Sequence, residues 1–356
     1  GNCPIAPDRS RRAPRRVPLP VPLPGDLSAQ HGHGTAVASM IIGANSLTPG
    51  VAPGAELFSV RIANDLGQSD SFLLAQGIVA AVDSGAQLIN ISMASPGDSA
   101  LVRNAIEYAR AAGSLIIAAA GNNGLDRVSY PAANAGVIAV GAVDALGNHL
   151  DFSNSGQQLA ISAPGFGVNA AWTGDQSASV NGTSFSSPIV AGAIAALMSQ
   201  PGSSKLTARQ ATDLLFEYLN DGGESGTDAA FGAGMPDIGR VMNRNTRGIY
   251  DAAVASQRIV PASSTNPYGQ VEILIQNRGT ETLINTAVNI SSPSGNFTSN
   301  ITSLLPNRVT TLRVPIPVET ATSLRYESRV ALSGGLNDAK SSNDRRVETY
   351  APASGN

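Results

Sequence analysis

Strand-like apolar segments recur along the first part of the chain at Leu57 to Ile62, Leu88 to Ile91, Leu115 to Ala119 and Val137 to Ala142. Between them the spacing turns helical. Phe72 to Val82 carries apolar Phe72, Leu73, Ile78, Val79 and Val82, and Ala100 to Ala112 carries Leu101, Val102 and Ile106. Strands alternating with helices predict βαβ crossovers and a mostly parallel sheet with helices on both faces, an α/β fold. A further run, Ile189 to Met198, is apolar on every side and predicts a buried helix. Thr207-x-x-Gln210 opens a late helix as a capping box. Beyond residue 245 the pattern changes. Val271, Ile273 and Ile275 alternate with other positions, Asn277-Arg278-Gly279-Thr280 makes a turn, and Ala287 to Ile290, Val309 to Ile316 and Leu324 to Leu332 follow. Short strands with turn signals at intervals predict a smaller all-β sandwich. The expected division is therefore a proline- and arginine-rich leader over 1–29, an α/β domain over 30–245, a linker over 246–268 and a β-sandwich over 269–350.

Two domains fit a chain of 356 residues, and 42% hydrophobic with 14% charged residues suits a well-buried core. A net charge of −3 argues against a nucleic-acid partner. The one basic cluster, Arg9, Arg11, Arg12, Arg15 and Arg16, falls in the leader, where a surface loop and a cleavage site are the expectations. Cys3 is the single cysteine, so no internal disulfide framework exists. No apolar run is long enough to span a membrane as a helix.

Ser184 lies between Gly182, which permits a tight turn, and the apolar helix. A serine there either caps a core helix or is a nucleophile at a helix N-terminus, where unpaired N–H groups and the dipole favour negative charge. Two other segments weigh in favour of chemistry. His31-Gly32-His33-Gly34-Thr35 offers two candidate bases ahead of an apolar helix, and Ala118-Ala119-Ala120-Gly121-Asn122 ends a buried strand in an amide able to donate to an oxyanion. A base, an oxyanion donor and a nucleophile at glycine-bearing element ends are the equipment for acyl transfer.

With these segments the chain resembles the subtilisin-like serine proteases. His33-Gly34-Thr35-x-Val37-Ala38 is similar to the histidine motif, Ala119-Ala120-Gly121-Asn122 to the oxyanion motif, and Gly182-Thr183-Ser184-x-x-Ser187-Pro188-x-Val190-Ala191-Gly192 to the serine motif. Gly50-Val51-Ala52-Pro53, Tyr130-Pro131-Ala132, Phe152-Ser153-Asn154 and Ala163-Pro164-Gly165 extend the likeness, which covers roughly residues 30 to 240. The resemblance implies a serine endopeptidase in which His33 is the base, Ser184 the nucleophile and Asn122 the oxyanion donor. His31 becomes a neighbour on the same turn, and His149 a solvated loop residue. The resemblance also implies a peptide held as an extra strand between Leu66-Gly67-Gln68-Ser69 and Ser92-Met93-Ala94-Ser95. Ala94 and Ser95 stand where the family has glycines, which narrows or shifts the groove. Met93 is either the wall of an uncharged first pocket or plain core packing.

The triad aspartate is the departure. The family supplies it from a hydrophobic strand some thirty or more residues before the histidine, a distance that reaches Gly1, so that strand is expected upstream. Asp8 and Asp26 precede the histidine but follow proline-rich stretches that suit extended loops better than a central strand. Two other readings keep the same machinery: a catalytically impaired relative that binds peptides, and a transpeptidase or peptide cyclase. No cofactor is expected. The family's structural calcium has no site in Gly43 to Pro49, which offers no carboxylate. The expected location is extracellular, at the cell surface or periplasmic, although no signal is visible. The strands after residue 269 resemble bacterial immunoglobulin-like adhesion modules, implying attachment to a surface or substrate, or a stabilising appendage.

Overall fold

The computed structural model describes residues 15–16, 32–64, 66–199, 205–260, 269–292, 295–315 and 324–350. Cys3, Asp8, Arg9, Arg11, Arg12, Asp26, His31 and Asp65 lie outside them. In chain order the first elements are β1 (Arg15–Arg16), α1 (His33–Ile42), β2 (Ala44–Asn45), β3 (Thr48–Pro49), β4 (Phe58–Ser59), α2 (Ser71–Asp83), β5 (Leu88–Ile91) and α3 (Ala100–Ala111). Then come β6 (Leu115–Ala119), β7 (Val137–Val143), β8 (Leu159–Pro164), β9 (Val168–Trp172), β10 (Gln176–Val180), α4 (Thr183–Met198), α5 (Ala208–Glu217) and α6 (Ile238–Asn243). Strands β11 (Ala252–Val260), β12 (Gln270–Asn277), β13 (Leu283–Ser292), β14 (Gly295–Leu304), β15 (Val309–Pro315), β16 (Leu324–Ala331) and β17 (Arg345–Tyr350) complete the chain. Among the described residues one compact unit comprises those up to Asn122 with Ser129–Val140 and Pro164–Arg209. The other comprises Asn123–Val128, Gly141–Ala163 and the residues from Gln210 onward.

In the first unit β5, β6 and β7 pair in parallel, with Ile89 opposite Ile116 and Ile116 opposite Val137. Ile116, Ile117, Ala118 and Ala119 are buried, as a strand covered on both sides requires. Asp70 caps α2 by accepting the Leu73 N–H at 2.8 Å, and Gly85, at φ +81, ends it. Helices α1 and α4 share a small core with the β9–β10 hairpin, built on Ala36, Met40, Ala170, Val180 and Phe185. That hairpin turns through the three residues Thr173, Gly174 and Asp175, the last two with positive φ. The expected strand over Leu57 to Ile62 shrinks to β4, whose parallel partner is β1. The leader expected to be all loop therefore contributes a strand at Arg15–Arg16.

In the second unit two antiparallel sheets, β11-β12-β15 and β14-β13-β16-β17, share one apolar cluster that includes Val271, Ile273, Ile275, Val288, Ile290, Tyr326 and Val330. The linker expected over 246–268 is corrected by β11, which pairs with β12 from Ala252 opposite Asn277 to Val260 opposite Gln270. Its run Ala-Ala-Val-Ala-Ser-Gln lacks alternation because Ala252 to Gln257 are all buried. Strand β14 escapes the sequence reading for the opposite reason, since it is polar and mostly exposed at the sheet edge. His149 is likewise corrected: it bridges Val143, packs 6.0 Å from the Phe231 ring and is pushed below the usual imidazole range by burial.

Asp221 in this unit is only 6% exposed. Its two oxygens accept the N–H groups of Gly222 and Gly226, yet burial outweighs those bonds and raises its carboxyl to about 6. A carboxyl raised in the folded state keeps its proton where the unfolded chain has lost it. Its contribution thus favours folding below the ordinary value and is lost as pH rises through about 6. Asp221→Asn is expected to flatten the decline of Tm between about pH 4 and 6. Thermal unfolding across that range checks it, and curves that stay parallel to the parent's would remove Asp221 as a source of the slope. Asp251 and Asp344 are raised the same way, so part of the slope should remain.

Candidate active site

Ser184 is the second residue of α4, after the N-cap Gly182 at φ 135 and ψ 156. That backbone is open only to glycine, and a side chain there would meet the Asn122 Nδ2 at 3.2 Å. The Ser184 N–H belongs to the first helical turn, whose N–H groups have no intrahelical partner. The Ser184 side chain is half-buried, and its hydroxyl donates to the Ser92 carbonyl at 3.2 Å.

Asn122 follows β6 at Gly121, φ 110, and is exposed. Its Oδ1 accepts from the Thr183 N–H at 2.9 Å and from the Thr183 hydroxyl at 2.8 Å, while the Gly121 N–H donates to Thr183 Oγ1 at 3.2 Å. With the oxygen so committed, the carboxamide presents its NH₂ as the donor, beside the first turn of α4. Thr183, fully buried, holds the Asn122 carboxamide, a part the sequence reading did not give it. Its place next to the nucleophile was legible, but its bond to an amide 61 positions away was not.

His33 opens α1, half-buried, with Gly32 as its N-cap residue. Its ring lies 5.5 Å from that of Phe185, the residue after Ser184, tilted by 56°. The fold thus brings together the N-termini of α1 and α4, which carry the candidate base and nucleophile, through the core that Ala36 and Phe185 share. Trp172 of β9 covers Gly32 so closely that a Cβ there would fall 2.3 Å from the indole. Glycine at 32 is required by that approach.

The expected substrate-flanking segments differ in conformation. Ser92 and Met93 are half-buried and Ala94 exposed, just past the end of β5. Ser95 anchors the far end through paired backbone bonds with Tyr130, at 2.7 and 2.9 Å. Gly67 and Gln68 instead close a turn. Asn64 Oδ1 accepts the N–H groups of Leu66 and Gln68, and the Asn64 N–H donates to the Gln68 carbonyl. The expectation of an extended strand at Gly67 and Gln68 is corrected accordingly, because a short polar side chain satisfies the backbone locally. Ser69 donates its hydroxyl to the Ile62 carbonyl at 2.6 Å.

Calcium does not fit the segment considered for it. Residues 43–49 form the β2–β3 hairpin, where Asn45 Oδ1 already accepts the Leu47 N–H and no carboxylate is present. Among the described residues no group of His, Cys, Asp or Glu side chains converges as a metal site.

The profile of the subtilase family matches residues 20–234. A thermostable alkaline protease of Halalkalibacterium halodurans is 38% identical over 213 residues, covering 59% of this chain and 57% of that protein. Subtilisin Savinase of Lederbergia lenta is 42% identical over 180 residues, covering 49% and 66%. The chain thus spans 57% and 66% of the length of these curated relatives. Among solved structures, the patellamide maturation protease PatA aligns with a TM-score of 0.55 at 33% identity, over 65% of this chain and 89% of that one. The prenylagaramide maturation protease PagA aligns with a TM-score of 0.56 at 29% identity, over 65% and 85%.

Proposed function

The chain belongs to the subtilase family, and from that premise we propose that it is a serine endopeptidase hydrolysing peptide bonds through an acyl-enzyme on Ser184. The observation that carries the reading is the Asn122–Thr183 pairing, which sets a free carboxamide NH₂ beside the helix turn that holds Ser184. His33 takes the Ser184 proton as Oγ bonds to the substrate carbonyl carbon. The oxyanion forms between Asn122 Nδ2 and the Ser184 N–H. His33 then passes the proton to the leaving amine as the C–N bond breaks, and water, activated by the same imidazole, releases the acid. All of this chemistry resides in side chains and amides, so the reaction asks for no cofactor.

The substrate is a protein or peptide lying as a strand along Ser92, Met93 and Ala94. The first pocket is uncharged, and Ala94 and Ser95 narrow it by side chains where closer backbone approach is usual in the family. The triad carboxylate that this mechanism needs is not assigned to a residue, Asp8 and Asp26 lying outside the described residues. A relative that binds peptides without cleaving them is the second reading, favoured only by the unassigned carboxylate.

The C-terminal strands are read as an immunoglobulin-like β-sandwich, supported by two antiparallel sheets with a common core. Its role is attachment to a surface or substrate, in a protein that works outside the cytoplasm. Among the described residues no helix is long and apolar enough to cross a membrane. The test of the catalytic reading is a fluorophosphonate probe followed by peptide mass spectrometry. Fast labelling confined to Ser184 is expected, whereas a folded chain that stays unlabelled even when extended upstream would overturn hydrolysis in favour of peptide binding.

A further inference from the structure

Pro188 lies inside α4, four residues after Ser184. In a regular helix the Ser184 carbonyl would accept the N–H of residue 188, but proline has none and its ring crowds that carbonyl. The nucleophile's own carbonyl is thereby stripped of its helical donor. The Ser92 hydroxyl supplies the replacement, donating to the Ser184 carbonyl at 2.6 Å. Ser92 is itself held: the Asn90 Nδ2 donates to its Oγ at 3.0 Å, and Asn90 Oδ1 accepts the Ser187 hydroxyl at 2.5 Å. The circuit leaves α4 at Ser187, crosses to Asn90 on β5, passes to Ser92 and returns to α4 at Ser184. The Ser184 hydroxyl closes a second link by donating to the Ser92 carbonyl.

We propose that Ser92, held by Asn90 and Ser187, is a positioning residue that fixes the nucleophile-bearing turn of α4 against the end of β5, in place of the bond that Pro188 removes. This rests on the reading of Ser184 as the nucleophile. The arrangement has a chemical use. Because the tie runs between the nucleophile and the strand along which the peptide lies, it sets the distance from Oγ to a bound scissile carbonyl. A helix-internal bond would fix Ser184 only to its own helix. A displacement of about 1 Å at such a point is enough to cost on the order of a hundredfold in rate.

The test uses the full chain. Ser92→Ala removes the donor while leaving the backbone along which substrate lies. Expected are a fall of about tenfold or more in kcat and in the fluorophosphonate labelling rate, with KM nearly unchanged and the pH profile unshifted. Ser92→Thr keeps the hydroxyl and should restore most of the loss. Pro188→Ala in the Ser92→Ala background returns an N–H at position 188 and should recover part of it. Parent-level kcat and labelling in Ser92→Ala, a loss confined to KM, or a double variant no better than Ser92→Ala would each overturn the proposal. Hydrogen exchange over Gly182–Ser187 separates it from the catalytic reading. If the parent fails to label even when extended upstream, hydrolysis is overturned, while faster exchange in Ser92→Ala than in the parent would still support the tie and equal exchange would overturn it.

Discussion

Alanine at position 184 is expected to abolish peptide hydrolysis and probe labelling together, lowering kcat by at least about a thousandfold while KM stays near the parent's. In the proposed mechanism the hydroxyl is the atom that bonds to the substrate carbonyl, so nothing else in the site can form the acyl-enzyme. Its removal disturbs little else. The bonds of Thr183 to Asn122 and of Ser92 to the Ser184 carbonyl use other atoms and remain. The hydroxyl's own bond, to the Ser92 carbonyl, is long at 3.2 Å. An unchanged Tm with lost turnover is therefore the expected pair of results. Cleavage at the parent rate would remove Ser184 from the chemistry. Equal loss in the melting curve would instead make it a structural cap, the bland alternative for a serine at a helix start.

Arg240→Ala is expected to cost about 3 kcal/mol or more of stability, the scale of leaving several buried polar partners unmet. Arg240 is 8% exposed. Its guanidinium donates to the carbonyls of Tyr218, Leu219 and Arg278 and to the side-chain oxygens of Asn220 and Asn307. It thus ties the segment after α5 to the β-rich strands within one compact unit. Truncation to alanine leaves those acceptors buried and unmet. Arg240→Lys should recover only a minor part, since an ammonium has three donors and lacks the planar fork. Chemical denaturation measures the difference, and a variant within about 0.5 kcal/mol of the parent would mean that solvent reaches these groups. The same cluster weighs against a domain boundary near residue 245 that leaves the two sides independent. A chain ending there would lose Asn307 and the Arg278 carbonyl as partners of Arg240.

Legibility followed the range of the interaction. The strand at Leu115–Ala119 was readable because a strand covered on both sides stays apolar throughout, that at Leu88–Ile91 because three of its four residues are apolar, and α2 and α3 because their apolar residues fall at helical spacing. Strand β11 was not, because its alanine-rich run gives neither period. The turn at Gly67 and Gln68 was not either, since resemblance placed a strand where Asn64 closes the backbone on itself.

For the site, the sequence by itself determined which groups are available: a serine after a glycine turn at the head of a buried helix, an amide at a strand end, and a histidine before a Gly-Thr helix start. These are short-range facts, fixed by glycine's backbone freedom and by apolar runs. The tertiary structure alone decided how the groups are held. Thr183 turns Asn122 across 61 positions, Ser92 takes over the Ser184 carbonyl across 92, and Ser187 braces Asn90 across 97. Proline at 188 was plain in the sequence, but which hydroxyl would answer the carbonyl it orphans depends on β5 lying against α4. Such pairings join residues with no local preference for each other and exist only once the sheet and helix have packed.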